Sequence, residues 1–298
     1  MSKQSAFVGG HTLEKLDAVE KYLQAFQTAL KKQKFHTVFF DAFAGTGDLP
    51  AQAAGQLLDG VVDPDQIAEG SARRALRIKP PFDEYIFVEQ MKGKAAELLA
   101  LKTDFNDLAP RISVIHGDAN RAVADFCGSR DWARTRMVCF LDPFGNQVSF
   151  STIEAVAKCN IDLWYLFPAG IGVNRQISGD GTVVASAEPS LDRMYGTADW
   201  RTEFIQAKSV PTLFGDENVL EKNSSAEIAT RFMIRRMKTV FGGRVLDSWL
   251  PLGRNGGHWY SLIFACGNPE PKAWKLDGSI NAIFDVRGDG LMTGAWLG

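Results

Sequence analysis

The sequence predicts an α/β domain built on a mostly parallel sheet, and three observations predict it. Short apolar, β-prone runs alternate with segments of helical periodicity, the order that threads a parallel sheet between helices. Several of those runs end in an acid followed by a small-residue turn, as at Val38-Phe39-Phe40-Asp41 and Ala42-Phe43-Ala44-Gly45-Thr46-Gly47. A buried strand that delivers a loop to a ligand crevice reads this way. The last two runs flank a short polar, glycine-rich turn, which makes them an antiparallel hairpin instead of another crossover.

The bulk numbers fit that class. At 298 residues with 45% hydrophobic and 23% charged side chains, the chain can bury a sizeable core as one large domain, 1–298. A formal net charge of -2 leaves no chain-wide attraction for nucleic acid, so any such contact is local. Cys127, Cys139, Cys159 and Cys266 form no C-x-x-C pair, and the four histidines are dispersed. No metal-ligand cluster is visible, and free cysteines suit a reducing cytoplasm. No apolar run approaches the roughly 20 residues that span a bilayer, and the start lacks a signal-peptide pattern.

In chain order, His11 to Lys34 reads as a helix. Leu13, Leu16, Val19, Leu23, Phe26 and Leu30 form its stripe, Thr12 its N-cap, and Glu14, Lys15, Asp17, Glu20 and Lys21 its wet face. After the first strand and its loop, Leu49 to Pro64 is irregular, and Ser71 to Lys79 is a basic helix carrying Arg73, Arg74 and Arg77, stopped by Pro80-Pro81. Tyr85–Glu89 is the second strand, Lys92–Leu101 a helix, and Ile112–Ile115 the third strand. Helix Ala119–Cys127 follows, then the strand Met137–Leu141, a helix capped by Ser149 or Ser151, and the strand Ile161–Phe167. Ala169–Ser225 loses periodicity and gains Gly, Ser, Asp and Pro. It is expected as an insertion over the carboxyl edge of the sheet, a lid with short helices at Asp192–Tyr195 and Trp200–Ala207. Helix Ala226–Val240, strands Arg244–Leu250 and Trp259–Cys266, and a helix around Pro271–Phe284 complete the chain.

The chemistry lies at the strand ends. Gly45 and Gly47 let the first loop turn sharply and approach a ligand. Glu89 stands where Rossmann-like folds accept hydrogen bonds from ribose hydroxyls, a task for a group that only accepts. Its distance from the glycines exceeds the usual spacing of about 20 residues, because Leu49–Pro81 intervenes. The alternative for Glu89 is a helix N-terminal residue stabilised by the dipole. Asp118, followed by Ala119, can accept from an exocyclic amine or cap the next helix, and the two roles are compatible. Asp142-Pro143-Phe144-Gly145 ends the fourth strand. Asp142 either serves chemistry or caps the following helix, and Phe144 is either a stacking ring or core.

Three strands ending in Asp41, Glu89 and Asp118, a fourth ending in Asp142, and a closing hairpin resemble the class I methyltransferases that use S-adenosylmethionine. The resemblance implies a Rossmann-like sheet of seven strands with an antiparallel C-terminal hairpin. It places the methionine part of the cofactor on the loop of Asp41, Phe43, Ala44, Gly45 and Gly47, the ribose on Glu89, and the adenine on Asp118 and Ala119. Asp142-Pro143-Phe144 resembles the Asp/Asn-Pro-Pro-Tyr/Phe motif of enzymes that methylate exocyclic amines of bases, with the ring one place early. A similar Asp-Pro-Phe-Gly occurs in tRNA guanine-N2 methyltransferases. The resemblance implies that Asp142 and the Pro143 carbonyl accept the amine hydrogens and that Phe144 stacks on the base. Arg73, Arg74, Arg231, Arg235 and Arg236 are the candidates to meet phosphate.

More narrowly, His11-Thr12-Leu13, Tyr22-Leu23, Asp41 to Gly47, Glu69-Gly70-Ser71, Leu141 to Gly145, Asn174-Arg175 and Tyr260 to Ala265 resemble the three-Cys-motif partner family, TcmP. That family is named for a companion protein with three cysteines that resembles radical S-adenosylmethionine enzymes. Two expectations follow: an S-adenosylmethionine-dependent methyltransferase acting on a nucleobase amine in DNA or RNA, or a cofactor-binding module that docks a companion protein.

Overall fold

The computed structural model describes residues 10–46, 70–213, 215–253 and 256–269. Gly47, the Leu49–Pro64 stretch, Glu69 and the helix expected around Pro271–Phe284 lie outside the described residues.

One seven-stranded sheet organises the molecule. Its strands are β1 (His36–Asp41), β2 (Glu84–Glu89), β3 (Ile112–His116), β4 (Thr135–Leu141), β5 (Ile161–Phe167), β8 (Leu250–Leu252) and β9 (Tyr260–Cys266). A separate ribbon of β6 (Ile205–Thr212) and β7 (Gly215–Lys222) comes between β5 and β8 in the chain. The order across the main sheet is β3-β2-β1-β4-β5-β9-β8. β1 to β5 are parallel, and β9 enters antiparallel between β5 and β8. This is the class I methyltransferase arrangement, a Rossmann-like sheet closed by an antiparallel hairpin.

The central strands are apolar on both sides because helices cover both faces. Alternate residues feed two cores. Val38, Phe40, Cys139, Leu163 and Tyr165 join one with the helices Ala119–Gly128, Phe150–Ala157 and Ala226–Phe241. Phe39, Val138, Phe140, Trp164 and Phe264 join the other with helix α1 (Gly10–Leu30) and helix Ser71–Arg77. Tyr22 of α1 stands edge-on to Trp164, with ring centroids 5.3 Å apart. Its hydroxyl donates to half-buried Asp162 at 2.6 Å. A polar pair satisfied in this way helps to fix how α1 sits on the sheet.

Several boundaries differ from expectation. α1 begins at Gly10, so Thr12 lies inside the helix and is not its N-cap. The expected helix Lys92–Leu101 is two pieces, Lys92–Leu98 and Leu101–Asp104. The penultimate strand is only Leu250–Leu252, although Val245 also bridges Ala265. Between Ala169 and Ser225 the chain forms a π-helical turn (Ala169–Val173), a 3-10 turn (Asn174–Gln176) and helices Glu188–Tyr195 and Trp200–Phe204. Ile205 to Ala207, expected as helix, starts the β6–β7 ribbon. Both faces of that ribbon are largely wet, so no apolar alternation marked it in the sequence. The insertion's Leu191, Met194, Tyr195, Trp200 and Phe204 are fully buried in the first core. Tyr195 packs edge-on to Phe232 at 5.0 Å.

Candidate functional site

Strand order decides where the site lies. The connections from β1 and β4 leave in opposite directions, so a crevice opens at their carboxyl ends. A cavity of about 870 Å³ occupies it. Ala42, Phe43 and Gly45 reach it from the loop after β1, Glu89 from the end of β2, Asp118 and Ala119 from the turn after β3, and Asp142 and Phe144 from the loop after β4. Eight residues distant in sequence therefore share one cavity because each sits just past a parallel strand.

Each is held for a local reason. Gly45 has φ +62°, the left-handed region that side-chain-bearing residues avoid. Glu89 Oε1 accepts from the Met91 amide at 2.7 Å, which sets the carboxylate across the start of the next helix. Asp118 Oδ1 accepts from the Arg121 amide at 2.9 Å and is the N-cap of helix Ala119–Gly128. In both, one oxygen serves the protein, and the second has acceptor capacity for a ligand. Asn120, unmarked in the sequence, ties this turn to the acceptor loop. It accepts from the Ser149 amide and the Thr152 hydroxyl, both at 2.8 Å, and donates to the Gln147 carbonyl at 2.9 Å.

In the Asp142-Pro143-Phe144-Gly145 loop, Asp142 is not a helix cap and Phe144 is not core. Ser149, not Asp142, is the N-cap of the next helix. Phe144 is 90% exposed at the cavity, so it is not core. Gly145 at φ +76° and a hydrogen bond from the Phe144 amide to Gln147 Oε1 at 2.8 Å hold the loop in the shape that presents the ring.

Three of the expected contact residues do not line the cavity. Pro143 is buried, and Ala44 is buried with its amide donating to the Val88 carbonyl at 3.0 Å. Asp41 is fully buried and takes hydrogen bonds from the Ser71 hydroxyl at 2.5 Å and the Phe43 amide at 3.1 Å. Asp41 therefore lies behind the cavity wall and braces the loop. Burial pushes its carboxyl up from 3.8 to about 7, against those two hydrogen bonds, while the Asp142 charge adds to the rise and Lys15 opposes it. A desolvated carboxylate favours its neutral form.

Lys15 is the neighbour of Asp142 that the sequence did not reveal. Assigned to the wet face, it instead contacts Asp142 Oδ2 at 2.5 Å, with the two side chains 14% and 21% exposed. The signal was present: Lys15, Val19 and Tyr22 are spaced for one helical face, and Val19 and Tyr22 are buried. Tyr260 completes this side. Burial raises its hydroxyl pKa, the Asp142 charge adds to the rise, and Arg175 opposes it.

The five guanidiniums expected to meet phosphate are engaged inside the molecule. Arg73 pairs with Asp104, Arg74 with Asp17 and Glu20, Arg231 with Glu227, and Arg235 with Glu203. Arg236 donates to the Tyr195 carbonyl at 3.0 Å and lies over the Phe150 ring. Among the described residues no cluster of His, Cys, Asp and Glu could hold a metal ion, and no helix is long and apolar enough to cross a membrane.

No family model matches the sequence, and no curated protein matches it. Solved structures do. A Legionella pneumophila protein of the DUF519 family is 14% identical, with 87% of this chain and 97% of that chain covered and a TM-score of 0.43. The Streptomyces achromogenes O-methyltransferase TomG, solved with S-adenosylmethionine, is 11% identical over 70% of this chain and 80% of its own, at a TM-score of 0.36. A putative methyltransferase from Escherichia coli is 12% identical over 68% and 87%, at 0.29. These are distant likenesses, and the Rossmann-like arrangement is read from the strand order alone.

Proposed function

We propose that this chain is an S-adenosylmethionine-dependent methyltransferase that acts on an exocyclic amine of a nucleobase in DNA or RNA. One observation carries the reading: Phe43, Gly45, Glu89, Asp118, Asp142 and Phe144 line a single cavity of about 870 Å³ at the switch point of the sheet. That volume lies within the range of small-molecule sites. The acceptor set suits an adenosine, with capacity on Glu89 for a diol and on Asp118 for an aromatic amine.

S-adenosylmethionine, when bound, supplies an electrophilic methyl group. The chain supplies position. Asp142, which lines the cavity, accepts a hydrogen of the target amine and so leaves the nitrogen lone pair free to attack. Lys15 takes Oδ2 of Asp142, so Oδ1 is the oxygen assigned to the amine. The exposed Phe144 ring stacks on the base. Alignment of this kind lowers a barrier without a strong base. A base inside a duplex flips out to reach it.

Calorimetry with S-adenosylhomocysteine tests the cofactor half. Binding is expected, and Glu89→Ala is expected to weaken it at least tenfold. Asp142→Ala is expected to retain binding and lose transfer of labelled methyl to nucleic acid. Wild-type turnover in Asp142→Ala, or no binding by the wild type, removes the proposal.

A second reading, a module that docks a three-Cys-motif companion protein, draws on the paired guanidiniums. With Arg73, Arg74, Arg231 and Arg235 each facing a carboxylate, few cations are left for a long nucleic-acid contact. Methyl transfer by the purified chain alone separates the two.

A further inference from the structure

The arginines differ in their partners. Arg73, Arg74, Arg201, Arg231 and Arg235 face carboxylates and are neutralised where they stand. Arg193 is different. It projects from helix Glu188–Tyr195 of the insertion, is exposed, and lines the same cavity as Phe144. Among the described residues it makes a hydrogen bond only to the Asn146 carbonyl, at 3.2 Å, a neutral acceptor. Arg175 is also exposed, lies 5.8 Å from the centre of the Trp259 ring, and has no carboxylate partner among the described residues.

An exposed arginine needs no partner, since water hydrates it. What gives these two weight is their attachment. Asn146, two residues past Phe144, donates from Nδ2 to the Gly172 carbonyl at 2.7 Å while its own carbonyl accepts from Arg193. Gly172 belongs to the π-helical turn that leads into Arg175. A side chain added at Gly172 would run into Asn146 Oδ1 at 2.1 Å and Pro168 at 2.9 Å, so the loop and the turn are closely apposed. One asparagine thus couples the loop that presents the stacking ring to both of these arginines.

We propose that Arg193, with Arg175 as a second contact, recognises backbone phosphate beside the base that stacks on Phe144, so that the acceptor is a nucleic-acid strand and not a free base or nucleoside. This rests on the methyl-transfer reading and adds to it the residues that meet the strand. A guanidinium binds phosphate through paired N–H donors, and stacking on an aromatic ring adds sequence-tolerant affinity.

The contact is small, and its size is the test. Two phosphates on a single strand give a log–log salt slope of about -1.4, so affinity falls roughly sevenfold from about 50 to about 200 mM salt. Without one cation the slope is about -0.7 and the fall roughly threefold. The assay is fluorescence anisotropy of a labelled, short, mixed-sequence single-stranded oligonucleotide, with calorimetry of S-adenosylhomocysteine in parallel. Arg193→Gln and Arg175→Gln are each expected to halve the slope, and Arg193→Lys to restore it, with S-adenosylhomocysteine affinity unchanged in all three. An unchanged slope in both glutamine variants, or no oligonucleotide binding by the wild type, overturns the inference even where S-adenosylhomocysteine binds. An Arg193-dependent slope in a protein that does not bind S-adenosylhomocysteine supports the phosphate contact and removes the methyl-transfer reading instead.

Discussion

Asp41→Asn isolates the cost of a carboxylate shut away from water. Asp41 has no exposed surface and accepts from Ser71 and the Phe43 amide, yet burial still holds its pKa near 7 against 3.8 for the free side chain. The folded value lies above the unfolded one, so between pH 4 and 7 the folded state keeps a proton that the unfolded chain has lost. The group's contribution to stability is complete below about pH 4 and disappears as pH rises through 7. A gap of about 3 pH units at 1.36 kcal/mol each gives about 4 kcal/mol. At about 2 °C per kcal/mol for a chain of this length, that is about 8 °C in Tm. Asparagine fills the same space, can accept from the Phe43 amide, and is neutral throughout. The assay is calorimetric melting of both proteins from pH 4 to 8, and only the difference between them is read, so that other titrating groups cancel. The variant is expected to match the wild type at pH 4 and to exceed it progressively, by about 8 °C near pH 8. A difference that does not change with pH refutes the burial argument. A variant less stable than wild type above pH 7 refutes it more strongly, because the ionised form would then be the stabilised one.

Three further predictions concern the cavity. Phe144→Ala is expected to leave Tm within the small range of surface substitutions, since the ring is 90% exposed, while raising the KM for acceptor without altering S-adenosylhomocysteine affinity. A large loss of stability would show the ring to be packed. Lys15→Met and Asp142→Asn are expected to be non-additive: the partly buried pair they break predicts a coupling of about 1–3 kcal/mol in a double-mutant cycle of unfolding. Additive effects would show the contact to be energetically idle. Gly45→Ala meets no atom within 4 Å, so only its φ of +62° is strained. The expected cost is about 1 kcal/mol, with weaker S-adenosylhomocysteine binding and a normal circular dichroism spectrum. Wild-type stability and affinity together would show that the turn tolerates a side chain.

The sequence alone settled what repeats and what patterns. Apolar runs closed by Asp41, Glu89, Asp118 and Asp142, with helices between them, were sufficient for a parallel sheet with its loops at one rim. The period of a buried strand and the chemistry of the residue after it are local properties. The closing hairpin was legible for the same reason, since a short polar turn permits no crossover. Tertiary structure decided which of these residues face the crevice. Asp41 and Glu89 both end strands, but Ser71 and Phe43 enclose the first, and Met91 holds the second by one oxygen only. Lys15 joins Asp142 across 127 positions, and Arg193 reaches the cavity through the Asn146 carbonyl. Neither distance has any signature along the chain, because side-chain pairing between elements depends on how helices seat on the sheet. The β6–β7 ribbon eluded the sequence for the opposite reason: with both faces wet, it carries no alternation to read.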